Sequence, residues 1–335
     1  MRRKLTFAGV LLASALALAG CGNAIDTGTG STDKPAEGDA SALPKACSDE
    51  NPYLAVLLPN LTNPYYVAMK EGFETQGEKQ GFKVEVQIAN DDDANQLSQA
   101  TAMLQKSPCA VALNPVKSEP AAAIVKAAND AGVPVFTVNV TVDDKALTAQ
   151  GAHVIQYLGA DNVAGGEQTA EQVLADMGAD AELKIGFVTE PDEVPVVQRD
   201  GGFKDKISAN PNAEVVAQVD GNVKLDDSLA KTSELLQGNP GLNVIFASTG
   251  PAAQGAIEAV KASGRDVKVY GFCAAELATD TKLYPACVAQ EPKDYGMRVV
   301  DQVKAYIGGE KVETNILRPL KMFKAGETPG PGEVG

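Results

Sequence analysis

Leu57-Leu58-Pro59-Asn60-Leu61-Thr62-Asn63-Pro64-Tyr65-Tyr66 joins an apolar run over 53–58 to a segment with helical periodicity. A short continuous apolar run bounded by turn residues predicts a strand buried on both faces, as in a parallel sheet. Asn and Pro then turn the chain into a helix. In an open α/β sheet ligands bind beyond the carboxyl ends of the strands, so this turn lies where a ligand would lie. Its side chains suit a polyol: Tyr65 and Tyr66 offer flat apolar faces tipped with hydroxyls, and the Asn63 amide both donates and accepts. The same residues also fit a plain structural use, with Asn-Pro opening a helix and the tyrosines filling a core.

A chain of 335 residues exceeds one ordinary core and predicts two domains. With 44% hydrophobic and 22% charged residues, most of it is expected to fold. The 44 acidic residues outnumber the 29 basic ones, for a net charge of −15. Phosphate contacts need clustered Lys and Arg, so this balance argues against nucleic acid as a partner. A metal site is not expected, because no C-x-x-C occurs and His153 is the single histidine. No cofactor is expected either.

Residues 1–20 read as a targeting segment: Met1-Arg2-Arg3-Lys4 is basic, and 5–18 is apolar but short for a bilayer span. Leu18-Ala19-Gly20-Cys21 resembles the bacterial lipobox, which implies cleavage and lipidation at Cys21 and attachment to the extracytoplasmic face of the cell membrane. A plain signal peptide with a chance cysteine is the alternative. Residues 21–46, rich in Gly, Ser, Thr, Asp and Pro, are expected to form a flexible tether. Four cysteines remain, Cys47, Cys109, Cys273 and Cys287, and an even count in an exported chain favours disulfides with three possible pairings. Cys47 and Cys109 each precede strands expected to be neighbours, which favours that pair and leaves Cys273 for Cys287. Closing the longer loop contributes about 4 kcal/mol on the chain-entropy account.

Beyond the first strand, apolar strands and amphipathic helices alternate almost without interruption, which predicts α/β architecture with mostly parallel sheets covered on both faces. Strands are expected near 84–88, 110–114, 133–139, 154–158, 183–189, 214–219, 243–247, 267–273 and 286–290. Asp161 is placed to cap a helix running to Met177. The segment 329–335, ending Gly-Pro-Gly-Glu-Val-Gly, is expected to be disordered.

Asn60-Leu61-Thr62-Asn63-Pro64-Tyr65-Tyr66, then Gly72-Phe73, Asn114-Pro115, Gly159-Ala160-Asp161-Asn162, Arg199-Asp200-Gly201-Gly202-Phe203, Gly271-Phe272 and Ala289-Gln290 follow one another at intervals that resemble the periplasmic sugar-binding proteins related to ribose-binding protein. The resemblance spans about 53–320. It implies a type I periplasmic-binding-protein fold, two doubly wound lobes joined by a three-strand hinge. Lobe 1 would hold 47–160 plus 291–318, and lobe 2 would hold 161–290 plus 319–328. It implies ligand contacts from Asn63, Tyr65, Tyr66, Asn114 and Gln290, with Asn139, Arg199, Thr249 and Cys273 at further contact positions. Several of these depart from the family pattern. The Asp-Arg pair is Asn139-Val140, an arginine is Val197, the acidic residue after Gly-Phe is Cys273, and an Asn-Asp pair is Thr249-Gly250. With these charged groups gone, the contact set suits a neutral solute and not an anion. The acidic clusters 91–93 and 190–193 are expected to be solvated loop charges; one that pointed inward would favour a cationic or polyol ligand. Arg199 fits a helix surface or a capping role as well as a ligand contact.

The implied function is a lipid-anchored, monomeric solute-binding component of an ABC importer, working with a membrane permease and performing no chemistry. Two alternatives carry different chemistry. One is a sensor presenting its solute to a membrane receptor, and the other is an enzyme using Cys273 as nucleophile with His153 as base.

Overall fold

The computed structural model describes residues 43–335. The expected signal segment, Cys21 and the tether up to residue 42 lie outside the described residues. Tyr53–Leu58 forms β1, buried from Leu54 onward. Asn63 then caps α1 (Pro64–Gln80), its Oδ1 accepting the Tyr65 N–H, while Pro64 supplies a preset φ at the first helical position. The chain continues through β2 (Lys83–Ile88), α2 (Asp93–Leu104), β3 (Ala110–Leu113), α3 (Ala122–Asp130), β4 (Val135–Val138), α4 (Asp144–Gln150) and β5 (Gln156–Ala160). The second half runs α5 (Asn162–Met177), β6 (Leu183–Thr189), α6 (Val194–Ile207), β7 (Ala213–Asp220), α7 (Leu225–Gly238), β8 (Val244–Ala247), α8 (Gly250–Ser263), β9 (Lys268–Phe272) and β10 (Ala286–Ala289). It ends with α9 (Pro292–Ile307), β11 (Asn315–Arg318) and β12 (Lys321–Lys324).

Two six-stranded sheets result, in the orders β11-β5-β4-β3-β1-β2 and β12-β10-β9-β8-β6-β7. Every pairing is parallel except β12 on β10. Each sheet is covered on both faces, as the continuous apolar strands require. One cluster of the first lobe gathers Leu54, Val56, Phe73, Phe136 and Val300, and one of the second gathers Ile185, Phe187, Phe203, Phe246 and Phe272. The chain passes between sheets after β5, after β10 and after β11.

In each lobe helices pack backbone to backbone. A Cβ on Gly72 of α1 would stand 2.1 Å from the Lys293 carbonyl oxygen of α9, and one on Gly202 of α6 would stand 2.2 Å from that of Val163 in α5. Only glycine admits such an approach. Disulfides link Cys47 to Cys109 and Cys273 to Cys287.

The sequence reading missed some of this. The short α4, capped by Asp143 and closed by Gly151 at φ 61°, and the antiparallel β12 had no counterpart in it. The tail is a correction: instead of being disordered, Val334 pairs with Gln290 through both backbone bonds, is 2% exposed and joins the first lobe's core. Gly335 donates its N–H to Cys273 O and accepts the Gly250 N–H, so the last two residues bond to groups of the second sheet and its following loops. Backbone bonds hold it, and composition carries no trace of them. Among the described residues, no helix is long and apolar enough to cross a membrane.

Candidate functional site

The turn after β1 is shaped by Asn60, whose Oδ1 accepts the Asn63 N–H at 2.9 Å and the Thr62 hydroxyl at 3.1 Å, while its Nδ2 donates to Asp91. This turn and the cap at Asn63 aim Tyr65 and Tyr66 inward, each 3% exposed, ring centroids 5.5 Å apart and edge to face. The Tyr65 hydroxyl reaches two carboxamides from distant parts of the chain, Asn139 Oδ1 at 2.8 Å and Gln290 Oε1 at 3.0 Å. Asn139 sits at the end of β4 with φ 62°, a left-handed conformation that asparagine tolerates, and Tyr157 donates to its carbonyl. Gln290 ends β10 and is fixed by its backbone pairing to Val334. Three candidate residues thus meet at the carboxyl ends of strands. The phenol has one proton for two acceptors. Nearby, Asn114 is fully buried with Nδ2 donating to the Met69 sulfur and Oδ1 without a partner. The first lobe's wall is therefore short of donors.

The other candidates are placed differently. Asn63 spends its carbonyl on the helix cap and Thr249 its hydroxyl on capping α8, where it accepts the Ala252 N–H. Cys273 is a disulfide sulfur, so the cysteine-nucleophile alternative has no thiol to work with. Asn63, Gly250 and Cys273 line a cavity of about 630 Å³ between the lobes. Arg199 is 4% exposed, neither on a helix surface nor at a cap. It donates to Asn162 Oδ1 and the Ser248 carbonyl and lies 3.9 Å from the Phe272 ring centroid. Beside it, Asp200 accepts hydroxyl protons from Thr189 at 2.6 Å and Ser248 at 2.5 Å.

The second acidic cluster corrects the expectation of solvated charges. Asp192 is exposed and pairs with Lys117, but Glu190 and Glu193 are only 6% and 8% exposed. Desolvation pushes the Glu193 carboxyl up to about 8, with the Glu190 carboxyl adding to the shift. Desolvation likewise raises Glu190 to about 7, against a backbone bond from Asp192 that opposes it. A charged side chain after a strand end shows nothing of its burial in one sequence; Glu193 precedes Val194-Pro195-Val196, which is the one local hint. The lobes touch across the cleft rim. Ser118 N–H donates to Asp192 O at 3.0 Å, Val194 N–H donates to Ser118 Oγ at 2.9 Å, and Lys117 reaches Asp192 at 2.6 Å. Sequence reasoning did not single out Ser118, Asn60 or Tyr157, whose types are too common in turns and strands to mark them.

The family model described as periplasmic binding protein domain matches residues 54–311. The ribose import binding protein RbsB of Bacillus subtilis is 31% identical over 277 residues, which cover 80% of this chain and 86% of that protein. The D-apiose import binding protein of Actinobacillus succinogenes is 28% identical, covering 77% of this chain and 83% of its own length. A solved Caulobacter myo-inositol binding protein bound to myo-inositol superposes with a TM-score of 0.71 at 25% identity, covering 82% of this chain and 93% of that one. An Actinobacillus succinogenes solute-binding protein with bound D-allose shares the fold, with a TM-score of 0.72 at 24% identity over 82% of this chain and 98% of that one. Two parallel-sheet lobes with polar side chains converging at their strand ends, and a family model running through both of them, place this chain in the periplasmic binding protein family, with the type I fold.

Proposed function

We propose that this protein is the solute-binding component of an ABC importer and holds a small sugar or other polyol between its two lobes without transforming it. The observation that carries the reading is the shortage of donors at the cleft wall. One phenol proton serves both Asn139 and Gln290, and the Asn114 carbonyl has no partner. A solute rich in hydroxyls supplies what is missing, and each hydrogen bond it makes contributes about 1 kcal/mol net. The relatives support the same class, since their names specify import of ribose and apiose. Binding draws the lobes together about the three connecting segments, and a membrane permease reads the closed form. The body is a monomer tethered by a lipid on Cys21, a reading that rests on Leu18-Ala19-Gly20-Cys21 alone.

Thermal unfolding with ribose, allose, apiose and myo-inositol tests the binding, because a ligand of the folded state raises the midpoint in proportion to its excess over Kd. At least one polyol is expected to raise it. If none does, and titration calorimetry shows no heat with any of them, the reading is lost. For the anchor, Cys21→Ala is expected to release the protein from the membrane fraction.

A further inference from the structure

The second-lobe side of the cleft holds two buried acids that have no ion-pair partner among the described residues. Lys117 pairs with Asp192, Lys224 lies 3.9 Å from Asp91, and Arg199 donates to Asn162 and the Ser248 carbonyl. Glu190 and Glu193 feel the charges of Lys117 and Arg199 but form no ion pair with them. Glu190 at least accepts the Asp192 N–H at 3.0 Å. Glu193 stands at the N-cap position of α6 but makes no cap bond, and among the described residues no hydrogen bond or ion pair reaches its carboxylate. At 8% exposure it is a nine-tenths buried, unpartnered acid.

Both carboxyls face a cavity of about 70 Å³, walled also by Tyr66, Asn60, Asp91, Lys117 and Lys224. That space holds roughly two waters, enough for one substituent and too little for a sugar ring. It shares Asp91, Val223 and Lys224 with the cavity of about 630 Å³, so the small chamber opens beside the large one. Burying a carboxylate without a counter-charge is costly, and the deficit can be met by a proton or by a cation. In the empty cleft the proton meets it, since both acids are held above their ordinary range. A divalent metal is a poor fit: among the described residues no group of three or more His, Cys, Asp or Glu is arranged to hold one. An ammonium asks only for acceptors and tolerates, even gains from, an aromatic wall such as Tyr66.

We propose that Glu193, supported by Glu190, receives an ammonium group, so that the solute of this cleft is a polyol bearing a primary amine in place of one hydroxyl, an amino sugar or an aminocyclitol. The assignment rests on the polyol reading above and names its chemical class. A charge-assisted pair in this chamber discriminates the amine from its hydroxyl counterpart, because the hydroxyl leaves the acid protonated or unpaired.

The test is titration calorimetry at pH 7 with matched probes: glucose, galactose, mannose and myo-inositol against their mono-amino-deoxy analogues. At least one amine is expected to bind tenfold or more tighter than its parent. Its binding is expected to release protons, measured as heat that changes with the ionisation enthalpy of the buffer. The groups facing Glu193 are Glu190 and Asp192 from its own loop, Asp91 from the turn after β2, Arg199 from α6 and Tyr66 from α1. Of these acids, Glu193 and Glu190 hold protons near neutrality, so they are the source. Glu193→Gln is expected to collapse the amine-to-parent ratio towards one, and Glu190→Gln to reduce it several-fold. Should Glu193→Gln fail to fold, the wild-type ratio, the proton release and Glu190→Gln decide. Parent polyols binding as well as the amines overturn this inference and leave the polyol reading standing. A preference that neither substitution changes overturns it too. Binding of neither class overturns both.

Discussion

The two walls of the cleft solve the same problem in opposite ways. On the first lobe the groups are neutral: Tyr65, Asn139 and Gln290 from the crossing share one phenol proton between two acceptors, and the Asn114 carbonyl has no partner. On the second, Arg199, Asp200, Glu190 and Glu193 are ionisable and buried, with the arginine and aspartate satisfied and the glutamates not. An unfilled neutral group costs about the desolvation of one hydrogen bond, whereas an unfilled buried acid costs more and answers to pH. On the proposed reading, the two lobes contribute different things to one ligand: a general appetite for hydroxyls from the first, and charge selectivity from the second.

Experiments that break the charged wall give the largest effects. Arg199→Met strips the donor from Asn162 and the Ser248 carbonyl and removes the cation near Asp200 and Glu193, and is expected to cost about 3–5 kcal/mol, read from urea unfolding. An unchanged midpoint would show that the Thr189 and Ser248 hydroxyls suffice. The pH dependence comes next. Folded, Glu193 keeps its proton up to about pH 8; unfolded, it loses it near the ordinary 4.5. Between those values the folded chain binds more protons, so raising the pH across that window removes stability. The unfolding midpoint is expected to fall by roughly 4–8 °C more in the wild type than in Glu193→Gln between pH 5 and pH 8.5, a difference that includes the response of the neighbouring Glu190. Equal slopes would mean that the acid is solvated.

The neutral wall responds less. Tyr65→Phe strips the donor from Asn139 and Gln290 and is expected to cost about 1–2 kcal/mol of stability and to weaken polyol binding, measured on the same samples. Smallest is the rim. Lys117 and Asp192 are 41% and 52% exposed, and Lys117→Ala is expected to change stability by less than about 1 kcal/mol, with the effect vanishing in high salt.

Much of the fold is legible because parallel strands buried on both faces write themselves as apolar runs: 53–58 and 183–189 are strands to the residue. Asp161 is legible as a cap for a similar reason, since the signal is local, and it does accept the Ala164 N–H at 3.1 Å. Where the determinant is nonlocal, the reading stops. β12 exists because β10 offers it an edge, and the tail is held because Gln290, Cys273 and Gly250 present backbone groups to it. The site divides along the same line. The turn 60–66 could be picked out by type and spacing, and the sequence resemblance pointed to Asn139 and Gln290, which the fold brings to one phenol. Glu190 and Glu193 look, as letters, like any acidic loop, because burial is a property of what packs over a residue.

The docked tail makes the fastening of the cleft uneven. One margin is joined by ion pairs, Lys117 with Asp192 and Lys224 near Asp91, which ionic strength weakens, together with the Ser118 bonds to Asp192 and Val194. The other is stitched by main-chain bonds from residues 334 and 335 to Gln290, Cys273 and Gly250, which ionic strength does not touch. Because the tail's main-chain bonds go to the second lobe while the Val334 side chain packs in the first lobe's core, the last residues act as a clip between the lobes that high salt leaves in place.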